Sequence, residues 1–181
     1  MPADAHPLEL RRLEQSREEL NFGNGGIGEV SGRTILSAMG LRSYGVQLME
    51  EDYQKLRADW AAGDRDRERA LHLLYLSWWH WAEPDFLTGL SDDPTVAQLW
   101  RDIFADFGGE ASVDAEFLFV AAIMVEVTPW AFDDEDPWAT AADMMMARSL
   151  LLKPDGFSPA SFEGRGDFGE YFAHQASTPR G

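Results

Sequence analysis

Ala70-Leu71-His72-Leu73-Leu74-Tyr75-Leu76-Ser77-Trp78-Trp79-His80-Trp81-Ala82-Glu83 is apolar at almost every position and stops at Pro84. A helix with no polar face lies inside a core rather than on a surface. Pro84 ends it, because proline disfavours helical geometry at the residue before it. The stretch is entered through a charged turn (Arg65, Asp66, Arg67, Glu68, Arg69), with Asp64 as its expected cap and Gly63 as a left-handed end to the helix before. That earlier helix, Gln47–Ala62, carries Leu48, Tyr53, Leu56 and Trp60 roughly on one face.

The companion of the first stretch is Phe117–Val127. Its apolar run fits a buried strand or a buried helix by periodicity alone, and Val120, Ile123 and Val125 lean towards strand. Its length, and the acidic first turn of Asp114 and Glu116 behind a Ser112 cap, decide for helix. Asp93-Pro94 and Asp136-Pro137 repeat one start signal, an Asp cap followed by a proline whose missing N–H costs nothing there. The first opens an amphipathic segment (Val96, Leu99, Trp100, Ile103, Phe104, Phe107) that Gly108-Gly109 stops, and the second opens Pro137–Leu152. Near the N-terminus, Pro7–Leu20 and Ile35–Met39 read as shorter helices.

The expected fold is therefore all-α: a single irregular multi-helix domain, with about six or seven helices around two central apolar ones. Residues 1–153 form the helical domain. Residues 154–181 form an irregular tail, where Gly, Ser and Pro punctuate aromatics that dock on the body.

Composition narrows the function. The 181 residues hold 45% hydrophobic side chains, enough for a core, and no cysteine, which excludes disulfides and thiolate chemistry. No apolar run approaches the ~20 residues that cross a bilayer. The first residues lack the basic start and apolar stretch of a secretion signal, so a soluble, cytoplasmic protein is expected. Thirty-two acids oppose fifteen bases for a net charge of −17, and most of the excess lies after residue 90. Such a surface repels nucleic acid and anionic membrane and attracts a basic protein. Solubility alone would also account for it.

Few motifs carry chemistry. Gly23-Asn24-Gly25-Gly26-Ile27-Gly28 matches G-x-G-x-x-G literally, but a helix precedes it and no βαβ unit surrounds it, so it reads as an interhelical loop. The Glu83–Leu90 elbow turns the chain from the buried helix towards the next and names no ligand. His80 and Glu83 lie at i and i+3, and Glu126 closes the other apolar helix. If the two helices pack together, these groups could form a metal or small-molecule site in a helical-bundle enzyme. Against that, Glu83 and Glu126 sit at helix ends, where a carboxylate accepts turn amides or pairs with Arg33, Arg42 or Arg101. No nucleophile motif is present, so no catalytic residue and no cofactor is expected.

Asp133-Asp134-Glu135-Asp136, between Trp130, Phe132 and Trp138, is the sharpest interaction candidate. Clustered carboxylates need solvent, ions or opposing bases, and they also suit the positive end of the following helix. The expected function is that of an acidic protein-binding domain, for instance a bacterial-type immunity protein or antitoxin that inhibits a basic toxin enzyme. Asp133–Asp136 and Asp92-Asp93 would meet the partner's cations, while Trp130 or Phe132 fills a pocket.

Overall fold

Asp66, not Asp64, starts the central helix: its carboxylate accepts from Arg69 N. Asp64 acts one step earlier, its Oδ1 accepting from Asp66 N at 2.9 Å. Gly63 has φ 93°, the left-handed conformation that ends the preceding helix. The computed structural model describes residues 49–83, 90–132 and 135–178, excepting the side chains of Glu135 and Asp136. The expected helices Pro7–Leu20 and Ile35–Met39, the Gly23–Gly28 loop, elbow residues 84–89, Asp133 and Asp134 lie outside the described residues, as do Arg33 and Arg42.

Among the described residues all regular structure is helical, as expected. In chain order α1 covers residues 49–61, α2 Arg67–Ala82, α3 Val96–Asp106, α4 Ala115–Val127, α5 Glu135–Leu152 and α6 Gly166–Ser177. Short 3-10 turns occupy Gly109–Ala111, Pro129–Ala131 and Pro159–Phe162.

The apolar run at 117–125 is helix, and every residue of it is buried. Asp114 caps it by accepting from Glu116 N and Phe117 N, while Ser112 supports that cap through Asp114 N at 3.2 Å. The cap is thus two residues later than expected, since a carboxylate offers more acceptor capacity than a hydroxyl. α5 begins at Glu135, two residues ahead of Pro137, and tolerates the proline because N–H groups of a first helical turn have no intrahelical partner.

α4 runs along α5, α2 along α3, and α6 folds back on the Pro159–Phe162 turn. α5 turns Ala141, Ala142 and Met145 inward, and Ser149 Oγ donates to Ala115 O at 2.7 Å. The two apolar helices meet through a buried hydrogen bond: Trp78 Nε1 donates to Thr128 Oγ1 at 2.8 Å, just past the end of α4. Aromatic rings fill the space beside α3, where Trp81, Trp100, Phe132 and Trp138 pack edge to face or tilted.

In the C-terminal stretch Phe162, Phe168 and Phe172 are buried. Within the tail, Gly166–Ser177 is helical, so Phe168, Tyr171 and Phe172 share one face by their i, i+3, i+4 spacing. Docking is close enough that a Cβ at Gly169 would meet Phe162 O at 2.2 Å. Arg165 anchors the same segment: it grips Glu68 of α2 through two bonds of 2.6 Å and reaches Glu116 of α4.

Candidate functional site

The C-terminal end of α2 meets α1 and the segment before α3, and polar groups concentrate there. Glu50, Tyr53 and Arg57 recur at helical spacing, so α1 presents them towards one side. Tyr53 is fully buried, and its hydroxyl donates to Asp93 Oδ2 at 2.6 Å. Arg57 pairs with the same carboxylate at 2.7 Å and donates to Thr95 Oγ1. Asp93 Oδ1 takes the N–H and hydroxyl of Thr95, which forms the turn leading into α3. Glu50 accepts from the backbone and hydroxyl of Ser91 and from Gln54.

His80 sits among these groups. Its ring lies 4.4 Å from that of Tyr53, and its side chain is only 4% exposed. Nε2 has no hydrogen-bond partner, and the nearest charge is Glu50 Oε2 at 3.8 Å, too long for a hydrogen bond. Burial holds the His80 pKa below the ordinary 6.5 against the pull of Glu50 and Asp93, so the imidazole is neutral. Burial alone would raise the carboxylates. The bonds from Gln54 and Ser91 outweigh it at Glu50, and those from Tyr53 and Thr95 outweigh it at Asp93, so both fall below their usual range. The Tyr53 hydroxyl is pushed up by burial and by the carboxylate it serves.

Beside this cluster is a cavity of about 550 Å³, lined among others by His80, Trp81, Glu83, Ser91, Asp92 and Asp93. Among the described residues its lining includes three carboxylates and neither Lys nor Arg. Ser77 Oγ and Trp100 Nε1 are also buried without a partner, but neither lines it.

Of the expected metal or small-molecule trio, His80 and Glu83 share the cavity wall, while Glu126 is exposed at the end of α4 and does not line it. Among the described residues no group of three or more His, Asp or Glu is placed to hold a metal ion.

Two of the expected partner-binding residues need correction. Phe132 is 1% exposed and packs on Trp81, Trp100 and Trp138, so it fills this chain's own core rather than a partner's pocket. Asp93 is buried and bonded to Tyr53, Arg57 and Thr95, which leaves Asp92 as the exposed member of that pair. Trp130 is 53% exposed. Glu135 and Asp136 lie in the first turn of α5, where carboxylates suit the helix dipole.

The sequence reading missed Glu50, Tyr53 and Arg57 as a group, placing Tyr53 on the apolar face with Leu48, Leu56 and Trp60. Their shared helical spacing was the available signal.

Among the described residues the exposed bases are Lys55, Arg65 and Arg67, and each faces a carboxylate: Asp59, Asp106, and Asp114 with Glu116. Exposed carboxylates recur on several elements, including Asp92, Glu110, Glu126, Asp143 and Asp155. No described helix is long and apolar enough to cross a membrane. The chain matches no family model, no curated protein and no solved structure.

Proposed function

We propose that this chain acts by binding a cationic partner, most simply a basic protein that it inhibits in the manner of an immunity protein or antitoxin. The observation that carries this reading is the state of the exposed bases. Each of the three among the described residues already faces a carboxylate, while exposed acids such as Asp92, Glu110, Glu126, Asp143 and Asp155 recur on several elements. With a net charge of −17, long-range attraction raises the encounter rate with a basic surface and disfavours acidic competitors. Asp133–Asp136 is the densest acidic stretch, and Trp130 beside it supplies exposed aromatic area. Phe132 has no part in the contact.

Affinity capture on the immobilised chain tests the reading. A basic protein should be retained at about 0.1 M salt and released at about 1 M, as the screening length falls from ~10 to ~3 Å. Replacing Asp133, Asp134 and Asp136 by Asn and Glu135 by Gln should abolish retention, and the captured protein's own activity should fall as the wild-type chain is added. Retention indifferent both to salt and to these substitutions would rule the reading out.

A further inference from the structure

We propose that α5 pairs, side by side and parallel, with α5 of a second copy of this chain. The seam is Thr140, Met144, Ala147 and Leu151, and Asp143 of each copy faces Arg148 of the other. Exposed apolar surface is the first sign. Leu151 is 81% exposed, Met144 52%, Leu150 47% and Leu152 44%, and all four lie on α5. Among the described residues, α1, α2, α3 and α6 expose no large hydrophobic side chain. Apolar surface gathered on one element marks an interaction site.

Spacing says what shape of partner fits. Thr140, Met144, Ala147 and Leu151 are each exposed and recur at intervals of four, three and four residues. That alternation keeps one face of a helix against another helix along a shared seam. At 1.5 Å per residue the seam is about 17 Å long. The opposite face of α5, with Ala142, Met145 and Ser149, is buried against the body, so a second helix has the outer face to itself.

Charge says which helix. Asp143 precedes Met144 on one flank of the seam, and Arg148 follows Ala147 on the other. Asp143 is exposed. Arg148 donates to Ser112 O at 2.7 Å and to Ala111 O at 3.2 Å, both neutral acceptors, so its positive charge is not spent on a carboxylate there. In a parallel pair of helices, the residue just before one seam position faces the residue just after the next seam position of the other helix, and such pairs set partner and orientation. A two-fold axis then makes the Asp143–Arg148 contact twice, as a self-complementary interface requires. An antiparallel pair would face Asp143 with Leu150 instead. A basic helix of another protein would meet Arg148 with like charge. The seam is short, which places the dimer among the weak interfaces, and two chains of net charge −17 repel at long range.

Sedimentation equilibrium of the full chain tests the pairing, at about 0.5 M salt so that the long-range repulsion is screened. A monomer–dimer equilibrium is expected with a dissociation constant of about 10–100 μM. Leu151→Glu and Ala147→Glu change exposed positions and should each weaken it at least about tenfold. Asp143→Arg should also weaken it about tenfold, although it lowers the net negative charge. Asp102→Arg makes the same charge change on α3 and should not weaken it. The chain has no cysteine, so one introduced thiol reports orientation. Ala147→Cys should cross-link to its own copy under mild oxidation, because in a parallel pair the two Ala147 positions face each other within disulfide reach, and Ala139→Cys, off the seam, should not.

A chain that stays monomeric at about 300 μM overturns the proposal. So does association that Leu151→Glu and Ala147→Glu leave intact, or cross-linking no faster at Ala147→Cys than at Ala139→Cys. Association lost with Leu151→Glu but indifferent to Asp143→Arg overturns the parallel arrangement. The pairing does not rest on the partner-binding reading. Capture through Asp133–Asp136 is released at high salt, where self-association is measured, so the failure of either leaves the other standing.

Discussion

α2 borders one cavity at its middle and another at its C-terminal end, and the charges near the two are met differently. Towards the N-terminal end, Arg67 and Arg165 answer Glu68, Asp114 and Glu116. His72 there has a partner in Glu68 at 3.1 Å and a stacked ring in Phe168. The neighbouring cavity, of about 450 Å³, includes Lys55 beside Asp52 and Asp167. At the C-terminal end, a cavity of about 550 Å³ is lined, among the described residues, by acids without bases, and there His80 Nε2 has no hydrogen-bond partner. Both regions hold a histidine and several carboxylates, so residue types alone do not separate the two. Satisfaction does. Where Arg67 and Arg165 meet Glu68, Asp114 and Glu116, the network holds α6 against α2 and α4. At the other end Asp92 is exposed and its charge is met by solvent, while His80 Nε2 is buried without a hydrogen-bond partner among the described residues.

The contrast breaks first at the closed end. Gly169→Ala normally favours a helix by about 1 kcal/mol, but here the new methyl would meet Phe162 O at 2.2 Å. The clash should prevail, costing about 3 kcal/mol and lowering the melting temperature by roughly 10 °C. A variant as stable as the parent would mean that α6 does not dock this tightly. Arg165→Met comes next, since it leaves Glu68 without its two-pronged partner and Glu116 with Arg67 alone. Denaturant unfolding should show a loss of about 2 kcal/mol, reduced from the fully buried case because Glu68 is partly exposed. Arg165→Lys should recover only part of it, because an ammonium cannot make the paired contact.

The smallest effect is pH dependence at the open end. His80 faces Glu50, Asp93, Arg57 and Asp92, and burial keeps its folded pKa below the ordinary 6.5. The unfolded chain therefore binds the proton first. Stability from this group is fully present above about pH 6.5 and is lost as pH falls through the folded value. His72 is lowered in the same direction, burial outweighing Glu68. Chemical denaturation from pH 7.5 down to 5 should show the fall, and His80→Gln should remove a part of it that His72→Gln does not. The carboxylates contribute in a separate, lower window. Glu50, Glu68, Asp93 and Asp114 all lie below their ordinary values, so their stability is lost only as pH drops beneath about 4.5. A flat profile between pH 7.5 and 5 would refute the buried, neutral His80.

Much of the fold was legible because its signals are local. Pro84, Gly63 and the apolar runs act through backbone geometry and periodicity, which a sequence states directly. Caps were legible as a type but not to the residue: Asp66 and Asp114 do what Asp64 and Ser112 were expected to do. Several carboxylates within one turn compete for the same amides, and the path of the chain selects among them. The candidate site was half legible. His80 and Glu83 are near neighbours on one helix, so their association needed only helical spacing. Tyr53 with Asp93, forty residues apart, and Arg165 with Glu68, ninety-seven apart, are invisible to any local pattern.

Sequence by itself determined that this chain is helical, acidic and built on two apolar helices, because backbone propensity, periodicity and net charge are properties of neighbouring residues and their sum. Tertiary structure alone decided which charges are spent inside the fold and which remain. That choice turned Phe132 and Asp93 inward, paired Arg65 with Asp106 and Arg67 with Asp114, and buried His80 Nε2 without a hydrogen-bond partner among the described residues. A charge or a ring has a functional meaning only once its neighbours in space are fixed, and those neighbours come from distant parts of the chain.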